Sequence, residues 1–440
     1  MNPKPTIRAF ATAVALSLSG AISGMLAAVP APAAAQELTV WSHFADHQGV
    51  REFFEEAQGI FARENPGATL NITFYEKQAL FAAETTALPA GEGPDVIYLE
   101  PDRMQFVDNG FVRPIDDLVD LSRIEDFAKE AWTKDGKVYG LGMQAFTVEL
   151  YYNKDLMAQV LGKTGAALEP DHQLTQAEFL EVVKTASEMG VTPVVQGIGD
   201  RPYPGSYLLH ELLLRKVGRA DYAKLWAGEL SFKDPRVVEV FNYMKDVIDA
   251  GAYPKTFTTM KLGESHYYFH TKPGGLTFPL GSWYSSRAFN PPDKGGQPTD
   301  FALGVMQFPA MDGGACNDCK TIGVAGTYAV NAATKQPDLV AKFLDIMTRP
   351  EMGKLWVEKT KVATGVKVDA SGGFSGEYAD YFADMAARSQ GREFFLGTPI
   401  DFIKGACKET FVQVLNAAFP AGLMDTDEVI ETMEAACYNG

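Results

Sequence analysis

Residues 276–287 read LTFPLGSWYSSR, an apolar run that stops at Pro279-Leu280-Gly281 and gives way to Trp283, Tyr284 and Arg287 among small residues. Two uses of that grouping are chemically distinct. In a recognition loop, a flat ring takes the C–H face of a guest, and an Arg fork grips a carboxylate, phosphate or sulfonate. In a plain turn the rings pack on the core, where large aromatics usually lie. Trp283 suits the first use better, Tyr284 suits either, and Arg287 by itself reads more readily as a solvated strand-end cation.

Other reactive groupings are sparse. Six histidines fall at 43, 47, 172, 210, 266 and 270, and only His43/His47 and His266/His270 are four apart. Without HExxH or neighbouring thiolates, that spacing gives little support for a metal, and neither metal nor cofactor is expected. GxSxG, HExxH and Walker signatures are absent from the sequence, so no catalytic residues are assigned. Acids are plentiful, which leaves a glycosidase-type carboxylate pair open on counting alone.

Positions 1–35 have the layout of a secretory signal peptide. Lys4 and Arg8 form the positive start, FATAVALSLSGAISGMLAAV is apolar, and APAAAQ offers small residues before a cut after Ala35. A twin-Arg pair is lacking, and no Cys before position 316 offers a lipid attachment point. Export as a soluble periplasmic protein is the expectation. The chain carries a net charge of −17, and removal of the leader makes it more negative. Such a field repels nucleic acid and anionic lipid surfaces. Four cysteines in an exported chain allow three connectivities. Cys316–Cys319 is expected to close the tight CNDC turn, and Cys407–Cys437 to tie the last helix to the body. A zinc or redox use of CNDC lacks further ligands and a strand-to-helix setting.

The remaining chain is too long for one comfortable core, so two lobes are expected. ELTVWS, TLNITFYE and PDVIYLE read as strands, and QGVREFFEEAQGIFARENPG as an amphipathic helix stopped by Asn65-Pro66-Gly67. Such alternation implies crossover units and a largely parallel sheet. Thr175-Gln176-Ala177-Glu178 is a capping box opening a helix that Gly190 closes, and Pro235 begins another.

Taken in order, LTVWSHF, FARENPGATLNI, LPAGEGPDVIYLEPDRMQFVDNGFVRPIDDL, GKVYGLGMQAFTVELYYNKDL, GGLTFPLGSW and TIGVAGTYAVNAATKQPDLVAKFLDIMTRPEMGKLW resemble the extracellular solute-binding proteins of ABC importers, specifically the sugar-binding group that includes maltose-binding protein. The resemblance implies an α/β fold of two hinged lobes with an inter-lobe cleft. Its implied lobes are 36–148 plus 326–348 and 149–325 plus 349–440, with GMQAFTVE and IGVAGTY as crossings. It further implies a monomer that binds a mono- or oligosaccharide or a sugar derivative without chemistry and delivers it to membrane permease subunits. A polyamine, metal or amino acid in the same fold, or a secreted glycosidase, are the alternatives.

A sugar site needs a ring for the C–H face and polar groups for paired hydroxyls. On the resemblance, Trp283 supplies the stacking ring and Glu149, at the first crossing, matches a sugar-contacting carboxylate. Gln144 and Thr147 lie beside it. The rule that ligands sit outside the carboxyl ends of parallel strands points to His43, Glu76, Glu100 and Asp102, with an N-cap as the rival use of Asp102. Tyr203 and Tyr207, Thr327 at the second crossing, and Arg287 complete the candidates. The first loop reads Trp-Ser-His rather than a paired-Trp start, and basic residues near the loops keep an acidic or sulfonated sugar open.

Overall fold

Two strands run through both halves of the molecule and organise everything else. The computed structural model describes residues 36–439 except 46, 169–172, 202, 272–273 and 369–377, so the leader and His172 lie outside the described residues. In chain order the strands used below are β1 (Gln36–Ser42), β2 (Ala68–Phe74), β3 (Val96–Leu99), β4 (Gly140–Asn153), β5 (Thr192–Val194), β6 (Gly275–Gly281), β7 (Leu303–Met306), β8 (Cys319–Asn331) and β9 (Glu393–Leu396). The helices are α1 (Gln48–Glu64), α2 (Lys77–Ala87), α3 (Gln176–Glu188), α4 (Tyr207–Ala227), α5 (Pro235–Asp249), α6 (Leu262–His270), α7 (Pro337–Met347), α8 (Pro350–Thr360), α9 (Pro399–Phe402) and α10 (Thr426–Cys437).

β1 pairs in parallel with β2 and β3, as βαβ crossovers require. The amino-terminal half of β4 pairs antiparallel with β8, from Gly140 opposite Ala329 to Thr147 opposite Ile322. Its carboxyl-terminal half changes partners, running against β6 from Val148 to Tyr152 and against β7 from Leu150 to Asn153. β8 likewise pairs with β3 at one end and β9 at the other. Each long strand thereby changes partners along its length within one ten-stranded sheet of the described residues, and the two overlap the segments that the resemblance implies as crossings.

Two separate hydrophobic cores follow. One gathers Val40, Phe53, Phe54, Phe61, Ile97, Leu99 and Phe343; the other gathers Leu150, Tyr151, Leu208, Leu212, Phe241, Phe278 and Leu415. α1 shows why its residues make a helix on that surface: Val50, Phe53, Phe54, Ala57 and Phe61 form one buried stripe. The expected capping box is present at α3, where the Thr175 side chain accepts from Glu178 N and Glu178 reaches back to Thr175 N.

The boundary expected after residue 348 needs correcting. Met352, Trp356, Val357 and Val366 pack into the first core, with Trp356 set edge-on to Phe53 at 5.2 Å between ring centroids. The apolar face of α8 is legible in the sequence, but nothing local says which core it meets. No described helix is long and apolar enough to cross a membrane.

Both expected disulfides are present, Cys316–Cys319 and Cys407–Cys437. The second spans a sequence separation of 30 and fastens α10 to the second lobe. Loop-closure entropy assigns it about 4 kcal/mol, against about 2 kcal/mol for the four-residue ring. Urea unfolding should therefore show the Cys407→Ser/Cys437→Ser variant losing about twice the stability lost by Cys316→Ser/Cys319→Ser.

Candidate solute-binding site

A cavity of about 400 Å³ opens between residues carried by the two cores. Its first wall comes from the carboxyl ends of parallel strands: His43 and Phe44 follow β1, Lys77 begins the helix after β2, and Glu100 and Asp102 follow β3. The second wall carries Trp283 after β6, Arg201, Tyr203 and Tyr207 around the start of α4, His266 on α6, and Asp401 on α9. Gln144 and Phe146 of β4, with Val324 and Ala325 of β8, form the floor where the strands cross.

Trp283 is half-buried. Its ring meets Phe146 edge-on at 4.6 Å and approaches Tyr207 at 6.2 Å. Gly281 lets it fold back over the strand end, since a Cβ there would come within 1.9 Å of the indole. Tyr284, which suited either use, is a core residue: it is fully buried, with its hydroxyl 3.1 Å from His270 Nδ1. Phe44 is buried at a positive φ of 80°, a strained state for a bulky side chain, and His43 stacks on its ring at 4.5 Å.

The polar wall is an ordered charge array. Lys77 Nζ hydrogen-bonds Glu100 Oε1, and Tyr98 OH donates to the same oxygen at 2.8 Å. Burial opposes the charge on Lys77, but Glu100 more than offsets it and holds the lysine above its usual range. Burial likewise opposes the charge on Glu100, and Lys77 overcomes that, keeping the carboxylate below its usual range. Asp102 is pushed up by burial and then by Glu100, with Lys408 reaching within 3.8 Å. Asp401, half-buried, is raised to about 7, by burial first and then by Asp102 and Glu100 against the opposing hydrogen bonds from Thr398. Burial, then Lys77, keeps His43 well below the normal imidazole value, so it stands neutral.

Of the candidates, Trp283, His43, Glu100, Asp102, Gln144, Tyr207 and Arg287 all line the cavity, and Tyr203 joins them. Three do not. Glu149 lies behind β4, 1% exposed, with Lys320 Nζ at 2.6 Å and Thr147 donating to it. The reason is parity: successive strand residues face opposite ways, so Gln144 and Phe146 meet the cavity while Thr147 and Glu149 turn from it. Thr327 is fully buried, its methyl against Gly140. Glu76 caps α2 by accepting from Gln78 N at 2.9 Å.

Sequence reasoning missed Lys77, Arg201, His266, Phe146 and Asp401. Lys77 and Arg201 had a signal, since each neighbours a chosen loop residue, and Phe146 shares parity with Gln144. Asp401 had none, because only tertiary packing brings α9 to the first wall.

Comparisons with known proteins complete this picture. Residues 56–383 match the family described as bacterial extracellular solute-binding protein. This chain belongs to that family. An arabinooligosaccharide-binding protein of Bacillus subtilis is 25% identical over 336 residues, 73% of this chain and 71% of that one. Binding proteins of Brucella abortus are 35% identical over 109 residues, so the match spans only 26% of their length. A chitin oligosaccharide binding protein superposes with a TM-score of 0.75 at 19% identity, covering 92% of this chain and 98% of that one. RafE in complex with raffinose gives 0.68 at 18% identity, covering 91% and 98%. At these identities the solved structures establish the two-lobed solute-binding fold.

Asp401 of this solute-binding protein yields a pH prediction. Its folded value near 7 exceeds the ordinary unfolded value near 3.9, so the folded chain holds the proton more tightly. The buried charge then costs stability above about pH 7, and the cost fades as pH falls toward about 4. Urea titrations should find Asp401→Asn more stable than the parent near pH 8, with the gap closing on acidification. Gly281→Ala should displace the indole while its ordinary φ of −63° leaves the backbone unstrained, a change that near-ultraviolet circular dichroism would register.

Proposed function

We propose that this protein is the soluble receptor of an ABC importer and that it captures a carbohydrate of one or more sugar units in the cleft. The supporting observation is the pairing of a half-buried indole with a wall of carboxylates, an amide and neutral imidazole across one cavity. An aromatic face suits the C–H side of a pyranose, and the polar wall suits adjacent hydroxyls. The names of similar proteins, among them arabinooligosaccharide-, chitin oligosaccharide- and raffinose-binding ones, favour the same guest class.

Capture without turnover fits the state of the acids. Glu100 is already engaged by Lys77 and Tyr98 rather than poised as a free base. The signal-peptide layout of positions 1–35 supports delivery to the periplasm, and membrane permease subunits are the partner that the family reading calls for. Ligand must favour the approach of the two lobes over their separation, since equal affinity for both arrangements would shift nothing.

Purified protein should melt higher in a bound sugar. At about a hundred times the dissociation constant, a ligand adds about 2.7 kcal/mol to stability. Trp283→Ala should remove that gain and leave the ligand-free melt nearly unchanged. A panel of neutral sugars, sugar acids and polyols that never moves the melt, alongside a polyamine or metal that does, would sink the carbohydrate reading.

A further inference from the structure

The cleft contains buried nitrogens with nothing to bind. His43 Nδ1, both ring nitrogens of His266 and Arg201 Nε are buried without a hydrogen-bond partner. His266 is 3% exposed on the second wall, His43 is 7% exposed on the first, and both line the cavity. Leaving such groups unsatisfied is costly unless a guest completes them.

We infer that the guest is a sugar bearing a carboxylate, and that its carboxylate is seated among Arg201, His43 and His266; the inference rests on the carbohydrate reading. The local charges favour it. His43 faces Lys77, His47 and Arg201, with Tyr98 and Phe44 rings around it and the Tyr75 carbonyl as a backbone neighbour. His266 faces Arg287, His270, His47 and Arg201, with the Phe278 and Tyr284 rings packed on it.

The nearby carboxylates are committed elsewhere. Arg201 lies 3.7 Å from Glu76 and 3.8 Å from Asp200, beyond hydrogen-bond reach, and the Tyr203 phenol is its hydrogen-bonding neighbour. Asp200 accepts from Leu262 N at 2.8 Å, and Glu264 from Lys261 N at 2.8 Å. A guest carboxylate is acceptor-only, whereas a guanidinium N–H only donates and imidazole can be made to donate. One anionic group therefore suits Arg201 Nε, His43 Nδ1 and one ring nitrogen of His266. Glu100, Asp102 and Asp401 line the same cavity, and Glu100 is already held by Lys77 and Tyr98; these acids repel the guest carboxylate and receive its hydroxyls.

Binding should then draw in a proton. In the empty cleft, burial and surrounding cations keep the imidazoles neutral. An adjacent anion favours their protonated form, and protonation of Asp401 weakens repulsion in the same direction.

The test compares matched pairs by calorimetry on the unmodified protein: D-glucuronate with D-glucose, D-galacturonate with D-galactose, and the corresponding disaccharides. For at least one pair the acid should bind about tenfold or more tighter than the neutral sugar. That preference should grow as the solution is taken from about pH 8 to about pH 6, with net proton uptake measured in buffers of different ionisation enthalpy. Arg201→Gln should erase the preference by weakening the acid about tenfold or more beyond any effect on its neutral partner. Neutral sugars binding as tightly as their acids would overturn this inference and leave the carbohydrate reading standing. Silence from every member of every pair would overturn both.

Discussion

The structure depends on the constraint that β4 and β8 must satisfy two cores at once. In β4, Leu141 and Met143 pack into the first core, and Phe146, Val148 and Leu150 into the second. A slip of one residue in either strand would turn its apolar set outward in both lobes together. The Glu149–Lys320 pair holds the two strands at the crossing and is almost wholly buried. Buried ion pairs are weak evidence for stability, but breaking one leaves an uncompensated charge, so such a pair penalises wrong registers. That register is what sets Gln144 and Phe146 on the cavity floor.

From the floor upward, the cleft is built by opposing environments. Lys77 and Glu100 stabilise each other's charge, whereas Asp102 and Asp401 have burial and the Glu100 charge against them. The result is a wall in which fixed charge, a carboxyl that titrates near neutrality and neutral imidazole coexist. Such a surface offers both donors and acceptors without a large net field, a suitable lining for a guest rich in hydroxyls. Phe44 shows the strain that such placement can demand. Its left-handed backbone is held by the packing of Tyr98 and Trp356 around the ring.

Much of this was legible in the sequence because local rules and tertiary outcome agree. The stripe on α1, the Thr175–Glu178 cap and the strand-end positions of His43, Glu100 and Asp102 follow from periodicity and the carboxyl-end rule. Trp283 was legible because an indole in a small-residue loop after a strand has few core positions to fill. Glu149 misled because family resemblance gives a position along the chain, whereas strand parity decides a face. α8 and Asp401 were opaque for a different reason: their partners lie far away in sequence, and no local pattern encodes which lobe a late helix will join.

The spread of the cleft along the polypeptide has a further consequence for biogenesis. Its lining begins at His43 and is finished only by Asp401, contributed by α9 after the chain has traversed both lobes. A chain cut short before α9 therefore lacks part of the pocket lining however well its first lobe has folded. The full lining is assembled only when the last part of the chain has joined the fold.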